Sequence, residues 1–242
     1  MDEETVLVLR TCKADMTSTN NFRWPDSGPV ECPDWKPTAE CGHGLHGWLW
    51  GEGDGPLGNW SSNAKWLVVR VAKADMIDLK GKVKFPRGVV EFCGERLAAT
   101  QYLAAHGAAG RAIVGHTATA GNSGTATAGD SGTATAGYYG TATAGDFGTA
   151  TAGYSGTATA GDFGTATAGY SGTATAGYSG TATAGNSGTA TAGRNGVLAI
   201  AWWDDAAQRR RVAIGYVGEN GIEPATRYRL DAKGNFIKAT EE

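Results

Sequence analysis

Between His116 and Asn195 the chain repeats eight residues ten times, with no insertion or deletion. The unit is G-T-A-T-A-G-x-x. It opens as HTATAGNS at His116, closes as GTATAGRN at Asn195, and varies freely only at its last two positions. A fixed short period of this kind marks a solenoid or an array. Collagen would need Gly at every third residue and abundant proline, and the repeat has neither. Disorder suits a polar, Gly-rich tract, but it does not require unbroken spacing over 80 residues. Thr-Ala-Thr-Ala alternates with period two, so a strand built from it has a threonine face and an alanine face. Threonine also favours strands. The glycines at positions one and six are expected to supply the positive φ of tight turns. Each octad then makes one short strand and one turn, and two octads close a flattened coil of 16 residues.

The variable pairs carry the same period. Odd-numbered turns hold Asn122, Tyr138, Tyr154, Tyr170 and Asn186; even-numbered turns hold Asp130, Asp146, Asp162, Tyr178 and Arg194. Three tyrosines therefore align on one edge and three aspartates on the other, where Phe147 and Phe163 join them. A 16-residue coil explains this alternation and an 8-residue coil does not. The expected fold is mainly β: a short β-solenoid of about five 16-residue coils over 116–195, preceded by a small Trp-rich α+β domain over 1–115 and followed by a β capping region over 196–242. With Ala inside, each buried methyl contributes only about 0.8 kcal/mol, so the coils lean on backbone ladders and close packing. Solenoid ends need covering. At Val197–Trp203 small residues give way to bulky ones, and Arg111–Gly115 leads in from the other side. Val197–Trp203, Arg210–Val217, Arg227–Leu230 and Asn235–Lys238 alternate like strands, separated by Gly- and Asp-containing turns. Arg209-Arg210-Arg211 reads as part of a solvated hairpin.

The octad AGYSGTAT, Ala152 to Thr159, resembles the AGYGSTxT octapeptide of bacterial ice-nucleation proteins. The resemblance implies a β-solenoid with Thr-x-Thr rows and a stacked tyrosine edge. It covers residues 116–195 only. This chain departs from the pattern in that both strands of a coil read Thr-Ala-Thr, the array is about five coils long, and the flanking regions do not look like that family.

In the first region, 6–10, 66–72 and 88–93 read as strands, and Glu95–His106 reads as a helix that Gly107 ends. LVLRTCKADM at 7–16 and LVVRVAKADM at 67–76 agree at seven of ten positions, which suggests two pseudo-equivalent strand–turn units. Cys41, His43 and His46 fall within six residues of a Gly-rich stretch and are candidate metal ligands; a zinc site would add Cys32 or Cys12. No C-x-x-C is present, so no metal or other cofactor is expected. Cys41 with His46 or His106 would make a nucleophile pair, but a third orienting group is not recognisable. Trp48, Trp50 and Trp60 suit a ligand groove or, as the simpler reading, a domain core. The four cysteines, all within the first 93 residues, are expected to be free thiols.

A net charge of −3 gives no electrostatic case for nucleic acid or an anionic membrane. No run of 18 apolar residues occurs and the start is not a signal peptide, so the expected location is the cytoplasm. The repeat carries only Asp130, Asp146, Asp162 and Arg194 as charged groups. Ala, Thr and Gly cannot serve as a general acid or a metal ligand. The expected function is therefore non-enzymatic: a structural, self-assembling solenoid. It would offer threonine rows (Thr125, Thr127, Thr141, Thr143, Thr157, Thr159, Thr173, Thr175) and a tyrosine edge (Tyr138, Tyr154, Tyr170) for association as a homo-oligomer. One alternative is an ice-binding protein that uses the Thr-x-Thr arrays on ice or a water surface. Another is a ligand-binding or enzymatic N-terminal domain with the solenoid as spacer.

Overall fold

Val6–Leu9 and Leu67–Val69 are apolar at every position, which suits strands covered on both faces. The computed structural model describes residues 4–239 and places these two runs side by side at the centre of one sheet. The chain divides into two units, Met1–His116 and Thr117–Glu242.

In the first unit, β1 (Thr5–Cys12), β2 (Gly28–Glu31), β3 (Leu45–Leu49), β4 (Lys65–Ala72), β5 (Ile77–Asp78), β6 (Val83–Phe85) and β7 (Arg87–Gly94) form an antiparallel sheet. Its order is β2-β7-β4-β1-β3-β6-β5. Val8, Cys12, Trp24, Leu67, Val69 and Phe85 form the core on one face. Leu7, Leu9, Trp48, Trp66, Val68 and Leu103 form it on the other. Helix α1 spans Arg96–Leu103, shorter than the sequence suggests. A wider π-type turn at Ala104–Ala108 follows, and Gly107 ends it at φ 115°. The Gly-rich stretch around His46 carries no alternating strand pattern in sequence, yet it contains β3. Gly47 belongs there because a side chain would meet Leu9 O and Val8 Cγ1, each at 2.5 Å.

In the second unit the octads give one strand each: β8 (Thr117–Ala120), β9 (Thr125–Thr127), β10 (Thr133–Ala136), β11 (Thr141–Ala144), β12 (Thr149–Ala152), β13 (Thr157–Ala160), β14 (Thr165–Ala168), β15 (Thr173–Ala176), β16 (Thr181–Ala184) and β17 (Thr189–Ala192). Strands of odd octads pair in parallel in one sheet and those of even octads in a second. The register is shifted by 16 residues throughout, as in Thr133↔Thr149 and Thr141↔Thr157. The fold is thus mainly β, with a solenoid of about five coils. The alanines meet between the two sheets; Ala142, Ala150, Ala158 and Ala166 are wholly buried. Two small-residue sheets can close on each other only because no longer side chain intervenes.

The turns correct one expectation. Positive φ falls at position eight, on Ser123, Ser131, Tyr139, Phe147, Ser155, Phe163, Ser171, Ser179, Ser187 and Asn195, at 51–62°. The octad glycines are absent from that region. Each turn is closed by a bond such as Gly140 N–H to Gly137 O at 3.1 Å, with positive φ at its third residue in the manner of a type II turn. The glycines are required for closeness. A methyl on Gly140 would meet Ala136 Cβ at 2.8 Å and Gly124 O at 3.0 Å. A methyl on Gly145 would sit 2.3 Å from Asp130 Oδ1 of the preceding coil.

The array ends by substitution within its own register. β18 (Val197–Asp204) pairs in parallel with β16 and sets Leu198 and Ile200 where Ala182 and Ala184 lie one coil earlier. β19 (Arg209–Tyr216) then folds back antiparallel on β18. On the other sheet β20 (Tyr228–Leu230) pairs antiparallel with β17, and β21 (Phe236–Lys238) follows it. Leu198, Ile200, Ile222 and Tyr228 fill the end of the alanine core.

Candidate functional site

Period-two alternation puts every octad threonine outside once alanine is inside. Thr125, Thr127, Thr141, Thr143, Thr157, Thr159, Thr173 and Thr175 all lie on β9, β11, β13 and β15, in one sheet and in register. Thr189 and Thr191 of β17 extend these rows. The odd-octad sheet carries a second set, from Thr117 to Thr183. All are at least partly exposed. Neighbouring hydroxyls along a row come within reach of each other, as in Thr189 Oγ1 to Thr173 Oγ1 at 3.3 Å.

The edges are more elaborate than the rows. Tyr138 and Tyr154 stack at 6.0 Å between ring centroids and Tyr154 and Tyr170 at 5.2 Å, with interplanar angles of 22° and 9°. The three rings are 40–56% exposed. On the opposite edge Phe147 and Phe163 stack at 5.1 Å and 5°, and Phe163 meets Tyr178 edge-on at 5.5 Å. Both edges therefore carry an exposed aromatic ladder, and the aspartate edge is not simply a charged strip. Its carboxylates turn to the backbone. Asp130 Oδ1 accepts the N–H of Asp146 at 3.0 Å, Asp146 Oδ1 that of Asp162 at 2.8 Å, and Asp162 Oδ1 that of Tyr178 at 2.7 Å. Asn122 does the same for Tyr138 at 3.1 Å. The sequence signal for this ladder was the 16-residue spacing of Asp and Asn at position seven.

In the first unit the candidate metal ligands do not converge. Gly42 and His43 have φ of 97° and 47°, which turns the chain sharply between Cys41 and His46. Cys41 Sγ lies 3.1 Å from Lys82 Nζ, and His43 Nδ1 lies 2.7 Å from Asp34 Oδ2. The buried His46 Nε2 has no hydrogen-bond partner among the described residues. Among the described residues no three His, Cys, Asp or Glu side chains cluster as metal ligands. Nor is Cys41 matched with a histidine base: His106 stacks on Tyr102 and bonds its backbone oxygen. Cys12, Cys32, Cys41 and Cys93 are free thiols, and burial pushes the Cys12 thiol up to about 11. Trp48 is buried beside Trp66, with its Nε1–H on Asp54 O, and Trp60 packs on Trp66. Trp48 and Trp66 serve the core, and Trp60 lies exposed at its edge. No helix among the described residues is long and apolar enough to cross a membrane.

A segment of the chain matches proteins named ice nucleation protein. One from Xanthomonas campestris pv. translucens is 43% identical over 105 residues, which is 43% of this chain and 7% of that protein. One from Pseudomonas fluorescens is 43% identical over 105 residues, covering 9% of its length. InaU of Pantoea ananas is 39% identical over 109 residues, 44% of this chain and 10% of that protein. The match thus spans a tenth or less of these relatives. Residues 6–105 match a family described as a domain of unknown function, DUF7666. No solved structure matches the chain. The octapeptide repeats resemble those of bacterial ice-nucleation proteins, and the second unit is a repeat structural β-solenoid.

Proposed function

We propose that the solenoid is a non-enzymatic scaffold whose threonine rows organise water and bind ice. The observation that carries this reading is the in-register Thr-Ala-Thr ladder, repeated coil after coil on both sheets. Neighbouring coils repeat at about 4.8 Å and alternate threonines along a strand at about 6.8 Å. Such a grid of hydroxyls and methyls holds a layer of water in fixed positions, and the rows contain no charge to disrupt it. The names of the matching proteins point the same way. The test is freezing hysteresis, ice recrystallisation and droplet freezing with the purified chain. Thr157→Lys with Thr173→Lys, one coil apart in one row, is expected to abolish the effect on that face while the circular dichroism spectrum stays unchanged. No effect on ice by the unmutated chain at high concentration overturns the reading.

A second reading is self-association through the tyrosine edge. The exposed stack of Tyr138, Tyr154 and Tyr170 favours it, because amphipathic rings are enriched at interfaces.

A further inference from the structure

The two similar decapeptides of the first unit turn out to be neighbours. LVLRTCKADM lies mostly on β1 and LVVRVAKADM on β4. The strands pair antiparallel with Leu7 opposite Arg70 and Arg10 opposite Leu67. Arg10 and Arg70 thus hold matching positions in the two decapeptides but lie on opposite faces of the sheet, Arg10 with Val8 and Cys12 and Arg70 with Trp66 and Val68. The turns that follow are equivalent too: Met16 N–H bonds Lys13 O at 2.9 Å, and Met76 N–H bonds Lys73 O at 3.3 Å. The two arginines differ in what they hold. Arg70 grips the carboxylate of Glu91 with both Nε and Nη2, the fork that suits carboxylate and phosphate. Among the described residues Arg10 holds no carboxylate. Its Nη1 reaches only the backbone oxygen of His46 at 3.3 Å, its guanidinium lies over the Trp24 ring at 5.6 Å, and its Nε is sealed from solvent with no partner.

Arg10 also stands where the sheet opens. β1 and β3 pair only at Val8–Leu49 and Leu9–Trp48, although β1 runs on to Cys12 and β3 begins at Leu45. Beyond those pairs lies a cleft of 770 Å³ lined by Arg10, His46, Lys13, Lys82, Phe22 and Trp24, among others. That volume falls within the range of about 300–1,000 Å³ usual for small-molecule sites. Among its described lining residues Asp34 is the one acid, and it is already engaged by Cys32 Sγ–H and His43. Three cations thus face one occupied carboxylate, and two buried nitrogens, Arg10 Nε and His46 Nε2, lack partners. Leaving such groups unpaired is unfavourable.

We propose that this cleft binds a small oxyanion, a carboxylate or phosphate monoester on a flat apolar body, held by the Arg10 guanidinium. The Phe22–Trp24 pair, edge to face at 5.6 Å, lines the place for the flat body. Lys13 and Lys82 add charge, and His46 offers a neutral ring nitrogen. This site is independent of any role of the solenoid.

The experiment titrates the full chain with benzoate, phenyl phosphate and inorganic phosphate, following tryptophan fluorescence and the thermal midpoint. Saturable binding of benzoate or phenyl phosphate is expected, tighter than inorganic phosphate; whichever arm is tighter identifies the headgroup. Arg10→Met is expected to weaken it at least tenfold and Arg70→Met to leave it within twofold. Arg10→Lys keeps the charge but loses the fork, so an intermediate loss is expected, and it decides the matter if Arg10→Met does not fold. No saturable binding by any of the three probes overturns the proposal. So does binding that neither Arg10 variant changes.

Discussion

Asp146 Oδ1 lies 2.8 Å from the backbone nitrogen of Asp162, one coil further on. The aspartate is therefore a rung of the turn ladder as well as a surface charge, and the rung needs an acceptor oxygen rather than a negative charge. Asp146→Asn is expected to keep it and to match or exceed the stability of the parent, since it also removes like-charge repulsion along the edge. Asp146→Ala is expected to cost about 0.5–1.5 kcal/mol and to speed amide exchange at residue 162. Equal loss in both variants would show that charge, not the bond, matters there.

The turn geometry predicts opposite effects for two adjacent substitutions. Ser155 has φ 51°, a conformation that costs a non-glycine residue about 1–2 kcal/mol. Ser155→Gly is expected to raise the thermal midpoint of the solenoid. Gly156 has no room: a methyl would meet Ala152 Cβ and Gly140 O, each at 2.8 Å. Gly156→Ala is expected to lower stability by about 1–3 kcal/mol through overpacking. A midpoint that moves the same way in both variants contradicts this assignment of roles.

These two residues also mark how far the sequence can be read. The 16-residue coil, the inward Ala158 and the outward Thr157 follow from period two and from the parity of the variable pairs, because an exact repeat leaves one geometry to satisfy. The site of positive φ does not follow. Glycine permits that region but does not demand it, and here backbone proximity took the glycines while Ser and Phe accepted the strain. In the first unit β1, β4 and β7 are legible as dense apolar runs. β3 is not, since Gly47 and His46 carry no strand pattern and its place depends on partners distant in sequence. The Arg10 cleft was invisible for the same reason. Only the pairing of β1 with β4 reveals that the two decapeptides are neighbours in one sheet.

Histidine burial gives a pH dependence with a definite sign. His46 is pulled down to about 4, first by desolvation and then by Lys82, Arg10 and Lys84; burial also lowers His116. An unfolded histidine titrates near 6.5. Between these values the unfolded chain binds protons that the native chain does not, so stability is full above about pH 6.5 and declines as pH falls toward 4. The depressed carboxylates of Asp15, Asp34, Asp204 and Asp231 act lower, below their ordinary 3.8. A window from pH 7 to 5 therefore isolates the histidines. The urea midpoint is expected to fall across it, less steeply in His46→Gln and least in His46→Gln with His116→Gln. A flat midpoint in the parent chain would contradict the burial of both rings.

The two aromatic ladders make self-association testable edge by edge. Tyr138, Tyr154 and Tyr170 stack on one edge, and Phe147, Phe163 and Tyr178 form the ladder on the other. The Phe–Tyr178 edge also bears three carboxylates, Asp130, Asp146 and Asp162, in line. Two such edges facing each other would bring like charges together. The tyrosine edge has no such penalty, and its rings offer an apolar surface with a polar tip. A two-fold pairing of tyrosine edges is the expected product, because an isologous contact needs only one self-complementary patch. Replacing all three tyrosines by serine removes the ladder and leaves the alanine core and backbone rungs intact. Sedimentation should then show a dimer in the parent and a monomer in the triple variant. The matching triple variant Phe147→Ser, Phe163→Ser, Tyr178→Ser should still sediment as a dimer. If the parent is a monomer, or if the serine edge leaves the oligomer unchanged, the tyrosine ladder is surface rather than interface.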